Sequence, residues 1–270
     1  MDKEFLKKVQ ELKKLTQVGY NICIEALKKN NNDIEKSIEW LRIQGIVKAT
    51  SREHRKAKEG IVKCFCEENT AVIFEINCET SFVAKNDLFC ELANNFAKEC
   101  LKNKNITNFE QAEKIFAQMS ALLLMSIKEK IVLKRFEKIS KKENECFGFY
   151  NHMGNTACVV ILEKNNPELA KEMAVHITAN DTRYINFENV EKTFIDKEKK
   201  IALETIKNDK KLANKPKKLI NDIINMKIHK NIDPFVLNEQ KFVYNEEEKV
   251  SCYLEKNKNK VVNFFKYTIK

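Results

Sequence analysis

The stretch Glu75-Ile76-Asn77-Cys78-Glu79-Thr80-Ser81-Phe82-Val83-Ala84-Lys85-Asn86 joins two kinds of local structure. Before it, Ile61–Cys66 and Ala71–Ile76 are apolar, partly β-branched runs separated by Glu67-Glu68-Asn69-Thr70, a pattern that predicts a hairpin. After it, Phe89, Leu92, Ala93, Phe96 and Cys100 recur at helical spacing. Asn86 is placed to cap that helix, because its side-chain oxygen can accept an amide proton that the first turn leaves without a partner. Phe82 falls in the crossing between strand and helix. On position and residue type alone it reads as a strand-end core residue.

The same order of elements recurs downstream. Cys146–Tyr150 and Thr156–Leu162 flank His152-Met153-Gly154-Asn155 as a second hairpin, and Asn166-Pro167 opens a helix with proline where its missing N–H costs nothing. Between the two hairpin-and-helix sets lie a helix over about 108–130 and a strand over 131–137. Two related subdomains and an α+β class follow, with core boundaries at 51–140 and at 141–190 together with 231–270. Phe242-Val243 and Val261–Tyr267 read as strands returning to the second sheet. Upstream, Phe5, Leu6, Val9, Leu12 and Leu15 form one helical stripe, Cys23, Ala26 and Leu27 a second, and Ile34, Ile38 and Leu41 a third. Asp33 is a good N-cap for the third, and Gly45 sits where a helix-terminating glycine belongs. Residues 1–50 therefore read as a three-helix domain, and the charged stretch 48–60 as a linker. Residues 191–230 read as a basic helical hairpin, poor in large apolar side chains and turning at Asn214-Lys215-Pro216.

The composition supports folding and excludes several classes. The chain has 270 residues, of which 43% are hydrophobic and 33% charged, enough apolar area for a core. No apolar run approaches the roughly 18 residues that span a bilayer. Met1-Asp2-Lys3-Glu4 lacks the apolar core of a signal peptide, so a soluble, cytoplasmic protein is expected, with no membrane partner. Nine cysteines form no CxxC pair, and buried reduced thiols are the expectation rather than a metal site. The net charge of +10 is concentrated in residues 1–60 and 191–230. Lysine supplies most of the cations and arginine only five, whereas nucleic-acid readers favour arginine at base edges. An acidic partner is permitted but not identified. No phosphate-binding loop can be built from glycines at 19, 45, 60, 148 and 154, and no HExxH or nucleophile–base constellation is visible. Neither a metal nor a cofactor is expected, and the chain does not read as an enzyme.

The segment Thr80-Ser81-Phe82-Val83-Ala84-Lys85 resembles the signature of the elongation factor Ts family, a Thr-Asp-Phe-Val core followed by Ala-Lys and a helix. The likeness runs along almost the whole chain. Leu12–Thr16, Gly19 and Cys23 to Leu27 resemble the family's ubiquitin-associated-like three-helix domain. Ile131–Phe136 resembles the segment closing its first subdomain, Tyr150-Asn151-His152 with Gly154 a turn of its second, Ala174-Val175-His176-Ile177 a helix there, and Lys215–Lys218 the turn of its coiled-coil hairpin, residues 191–230 here. The resemblance implies a guanine-nucleotide exchange factor with no covalent chemistry of its own. Its partner would be elongation factor Tu, engaged as the GDP complex and in the nucleotide-free state. Phe82 would wedge near the partner's magnesium site, with Thr80, Ser81 and Val83 beside it. Tyr20, Asn21, His152 and His176 would make secondary contacts. This chain departs from the family at Ser81, where an aspartate is usual, and at Tyr20 and Asn21, where paired methionines are usual. His176 also shares a helical stripe with Leu169 and Met173, so a packed core histidine is the competing reading. The competing function is a basic RNA- or ribosome-associated protein, although direct nucleic-acid binding is not expected.

Overall fold

The computed structural model describes residues 3–208 and 216–269. The fold is mixed α and β, with three N-terminal helices followed by small antiparallel sheets and their helices. Two compact units are present. The first comprises residues 1–142, 151–159 and 265–270, and the second residues 143–150 and 160–264.

The first unit opens with α1 (Lys3–Thr16), α2 (Tyr20–Lys29) and α3 (Ile34–Ser51). Their stripes meet, with Val9, Leu12, Val18, Cys23, Ala26, Leu27 and Leu41 buried together, except that Leu15, expected on the first stripe, is exposed one residue before α1 ends. Asp33 caps α3 by accepting from the Lys36 amide at 3.0 Å. Gly45, however, does not end this helix. It lies within α3, and a Cβ built there would stand 2.0 Å from the Ala121 carbonyl oxygen on α6 (Phe109–Ser126). The glycine therefore lets two helix backbones meet, a tertiary demand that local sequence does not announce. Gly45→Ala is expected to destabilise the fold by about 1–3 kcal/mol through overpacking, although alanine is favoured over glycine in a helix by about 1 kcal/mol. A urea midpoint that rises in the variant would show that α3 and α6 are not held that closely.

Strands β1 (Glu59–Glu67), β2 (Thr70–Cys78) and β3 (Val132–Ser140) form an antiparallel sheet with β2 at its centre. Ile61 pairs with Ile76, and Phe74 with Phe136. Side chains alternate between faces along a strand. Val72, Phe74, Ile76 and Cys78 pack with Phe89, Phe96 and Cys100 of α5 (Asp87–Lys102) and with Phe116 and Leu124 of α6. Phe96 is the hub of this core, edge-on to Phe74 at 5.2 Å and to Phe116 at 5.3 Å. The alternate residues of β2 (Ala71, Ile73, Glu75 and Asn77) are buried too, which is why the strand reads as a nearly unbroken apolar run. Glu75 is fully buried and paired with Arg135 at 2.5 Å and Lys134 at 3.2 Å. Arg135 also lies over the Tyr267 ring and donates to the Thr268 carbonyl.

In the second unit, α7 (Pro167–Ala179) is capped by Asn166, with Pro167 in its first turn, as the sequence predicts. Gly148 on β4 (Cys146–His152) meets this helix so closely that a Cβ would stand 1.9 Å from the Ala170 carbonyl. The expected hairpin is present as α8 (Lys192–Asn208) and α9 (Lys217–Ile232). Its turn at Asn214-Lys215 lies outside the described residues. The hairpin is less polar than expected: Ala202, Ile206, Ile224, Ile228 and Ile232 form a core with Val190 and Val236, flanked by Phe187 and Phe194. Dense lysine hid an isoleucine stripe. Phe242 does not return to the second sheet either. It belongs to β6 (Lys241–Phe242), which pairs with β7 (Asn245–Lys249) as a separate ribbon ahead of α10 (Val250–Lys256). The second three-stranded sheet has the order β4, β5 (Thr156–Leu162), β8 (Val261–Thr268). Six of the nine cysteines are buried, and Cys252 is exposed.

Candidate functional site

After Cys78 the chain leaves the sheet and makes one helical turn, α4 (Ser81–Ala84), before Asn86 starts α5. Thr80 is the N-cap of that turn, its Oγ1 accepting from the Val83 amide at 3.5 Å. Ala84 is buried, and Val83 is half-buried against the first unit's core. Phe82 points the other way and is 87% exposed. That overturns the strand-end core reading. Burying a phenylalanine is worth about 1.5–3 kcal/mol, and this fold forgoes that gain. A partner that covers the ring recovers it.

The turn is braced from below. Glu129, between α6 and β3, accepts through Oε2 from the amides of Glu79 and Thr80, both at 3.0 Å. Its Oε1 accepts from the Thr80 hydroxyl at 2.6 Å. Glu79 in turn accepts from the Lys130 amide at 2.6 Å and from Arg55 Nη1 at 3.2 Å. Arg52, buried at the end of α3, donates to the carbonyls of Leu124, Ile127 and Glu129 at 3.3, 2.9 and 3.0 Å. The stretch expected to be a linker therefore supplies two arginines that hold this segment. The Cys78 thiol donates to the Thr80 carbonyl at 3.2 Å. Burial, reinforced by Glu129 and Glu59, pushes that thiol up to about 12, so it stays a donor.

Burial acts to raise the Glu79 carboxyl, but the Lys130 amide and Arg55 outweigh it and hold the group below its ordinary value. A carboxylate with a depressed folded pKa adds stability above the unfolded value and loses it as pH falls through the folded one. At neutral pH, Glu79→Gln should melt below wild type, and the gap should close at pH values under the carboxylate range. A gap that is unchanged in acid would show that the charge contributes nothing.

Thr80, Ser81, Phe82 and Val83 are contiguous here; the other expected site residues lie elsewhere. Tyr20 and Asn21 are exposed on the first turn of α2. A groove of about 320 Å³ in the same unit is lined by Leu15, Gln17, Leu88, Leu92, Met119 and Leu122, among others. His152 is exposed at the end of β4, where its carbonyl accepts from the Asn155 amide, and Met153 beside it is 85% exposed. His176 does not stand at a surface. It is fully buried in the second unit, its Nε2 2.9 Å from Gln240 Oε1. Gln240 spends its amide nitrogen on the Pro234 carbonyl, so its oxygen accepts from the ring. His176 Nδ1 then accepts from the Val243 amide at 3.2 Å, which fixes a neutral tautomer and anchors the turn between β6 and β7. Burial leaves the side chain nothing to offer a partner.

Sequence reasoning missed Glu79, Glu129, Arg52 and Arg55. The two arginines carried a signal, being among only five in a lysine-dominated chain. Glu129 carried none, because its three donors come from residues about 50 positions away. Among the described residues, no cluster of histidine, cysteine or acidic side chains is arranged to hold a metal ion. No helix among them is long and apolar enough to cross a membrane.

Comparison with known proteins places these features in a family. The family description "Elongation factor TS" matches residues 79–270. An elongation factor Ts of Phytoplasma australiense is 34% identical over 267 residues, covering 97% of this chain and 96% of that protein. The elongation factor Ts of Acholeplasma laidlawii is 34% identical over 269 residues, 97% of this chain and 90% of the other. That of Oenococcus oeni is 34% identical over 268 residues, with 97% and 90% covered.

Proposed function

The chain belongs to the elongation factor Ts family, and on that premise we propose that it binds elongation factor Tu in its GDP state and speeds GDP release in the cytoplasm. Phe82 is the wedge, entering the G domain near the magnesium and phosphate site, with Thr80, Ser81 and Val83 forming its base. Tyr20, Asn21 and His152 make secondary contacts. The supporting observation is that a large aromatic ring stands 87% exposed on a turn whose base is held by a dense set of hydrogen bonds.

The mechanism follows from linkage. A G protein holds GDP through a phosphate cradle and a magnesium ion. An exchange factor shifts the equilibrium only if it binds the nucleotide-free state better than the GDP state. A ring inserted between packed elements does this by displacing groups that coordinate the metal. The coupling is reciprocal, so GTP binding loosens the factor and frees it for another cycle. No bond to the nucleotide is made or broken by the factor, so it has no covalent chemistry of its own.

The experiment is release of fluorescent GDP from the cognate elongation factor Tu, followed by stopped flow with excess unlabelled nucleotide. Addition of this protein should accelerate release by orders of magnitude. Release at the spontaneous rate would overturn the proposal.

A further inference from the structure

We infer that Glu129 is a positioning residue for exchange: its carboxylate fixes the turn from which Phe82 projects, so it sets the fraction of molecules that present the ring correctly. The inference rests on the reading of Phe82 as the wedge.

The argument starts from unpaired backbone. The β2 ladder ends at Cys78, and the helix that follows has only four residues. A helix of one turn has almost no stability of its own, because nucleation costs more than one turn returns. The Thr80 cap on Val83 is long at 3.5 Å, beyond the range of a strong N–H···O bond, and holds the turn weakly. The amides of Glu79 and Thr80 have no strand opposite them, and the Thr80 hydroxyl needs an acceptor. Glu129 meets all three donors with its two oxygens, at 3.0, 3.0 and 2.6 Å. An ionised carboxylate is suited to this because it accepts through both oxygens and donates nothing. The Glu129 backbone is itself held by Arg52, so the clamp is anchored rather than adaptable. Glu129 needs no contact with the partner to act.

This role has a distinct kinetic signature. When only a fraction of molecules is competent, the apparent dissociation constant rises by the inverse of that fraction. Once the complex forms, the ring is seated and the chemistry of release is unchanged. Loss of Glu129 should therefore raise the concentration of factor needed for half-maximal GDP release and leave the maximal rate nearly intact. Loss of the ring should lower the maximal rate.

The test uses full-length protein and fluorescent GDP on the cognate elongation factor Tu. Glu129→Gln can keep one acceptor oxygen on the two amides, but it turns a donor nitrogen toward the Thr80 hydroxyl, whose proton loses its acceptor, and the bonds that remain lose the assistance of the charge. It should raise the half-saturating concentration about 10-fold and change the maximal rate by less than about twofold. In a Phe82→Ala background the same substitution should add almost nothing, because the group it positions is gone. Thr80→Val removes the hydroxyl from the same clamp and should shift half-saturation in the same direction, with Thr80→Ser restoring it. This pair carries the test if Glu129→Gln folds poorly. Wild-type half-saturation in Glu129→Gln, or in Thr80→Val, alongside an impaired Phe82→Ala would overturn the positioning role and leave the wedge standing. An equal effect of Glu129→Gln with and without the ring would overturn it too. An unimpaired Phe82→Ala would remove the wedge reading itself, and the positioning role with it.

Discussion

Phe82→Ala lowers the maximal rate of GDP release by about 100-fold, or about 2.7 kcal/mol, and leaves the free protein as stable as wild type. Both halves follow from one observation. A ring that is 87% exposed contributes almost nothing to its own fold, so its removal leaves no cavity and breaks no hydrogen bond. Surface changes of this kind usually lie within about 0.5 kcal/mol of neutral. Against a partner the same ring is placed to be a hot spot, where truncating a buried aromatic costs about 2–4 kcal/mol. Phe82→Leu keeps apolar bulk without the flat ring and should fall between. Stopped-flow rates at saturating factor, with circular dichroism and thermal melts of the free variants, decide the matter. A variant that exchanges normally refutes the wedge, and one that unfolds refutes the reading of Phe82 as a ring outside the core.

Glu75→Ala should have the opposite profile, destabilising the fold by about 1–3 kcal/mol through the loss of charge-assisted hydrogen bonds. Glu75 is completely buried, and Arg135 lies against it through both Nε and Nη2. Removing the carboxylate takes from the partly exposed Arg135 guanidinium the partner that both nitrogens contact, beside the centre of the first sheet. Arg135 also holds the Thr268 carbonyl and covers Tyr267, whose hydroxyl donates to Glu137 at 2.6 Å. The end of β8 should loosen with it. Truncating Lys134, the half-exposed partner at 3.2 Å, should cost no more than about 1 kcal/mol. Chemical denaturation of the two variants checks the ranking. Equal losses would mean that burial does not set the weight of this pair.

What the sequence determined by itself was local or periodic. The stripes at Val9 and Leu12, the β-branched apolar run Ala71–Ile76 and the caps at Asp33, Asn86 and Asn166 each depend on residues within a few positions, so they are read from a short window. The Thr80–Val83 segment was legible as the place to look because its residue order carries the family likeness, but whether Phe82 lay inside or outside was not. That depended on Val83 and Ala84 turning inward, which only the packed core decides. Gly45 was misread as a helix end because its reason for being glycine is the backbone of Ala121 on another helix. Phe242 was misread as a strand of the second three-stranded sheet because two apolar residues do not state which strand they will pair with. Glu129 was invisible because a carboxylate that gathers three donors from across the chain looks, in sequence, like any charged residue on a helix end. The elements were written in periodicity and capping; the brace that points Phe82 outward exists only where distant segments meet.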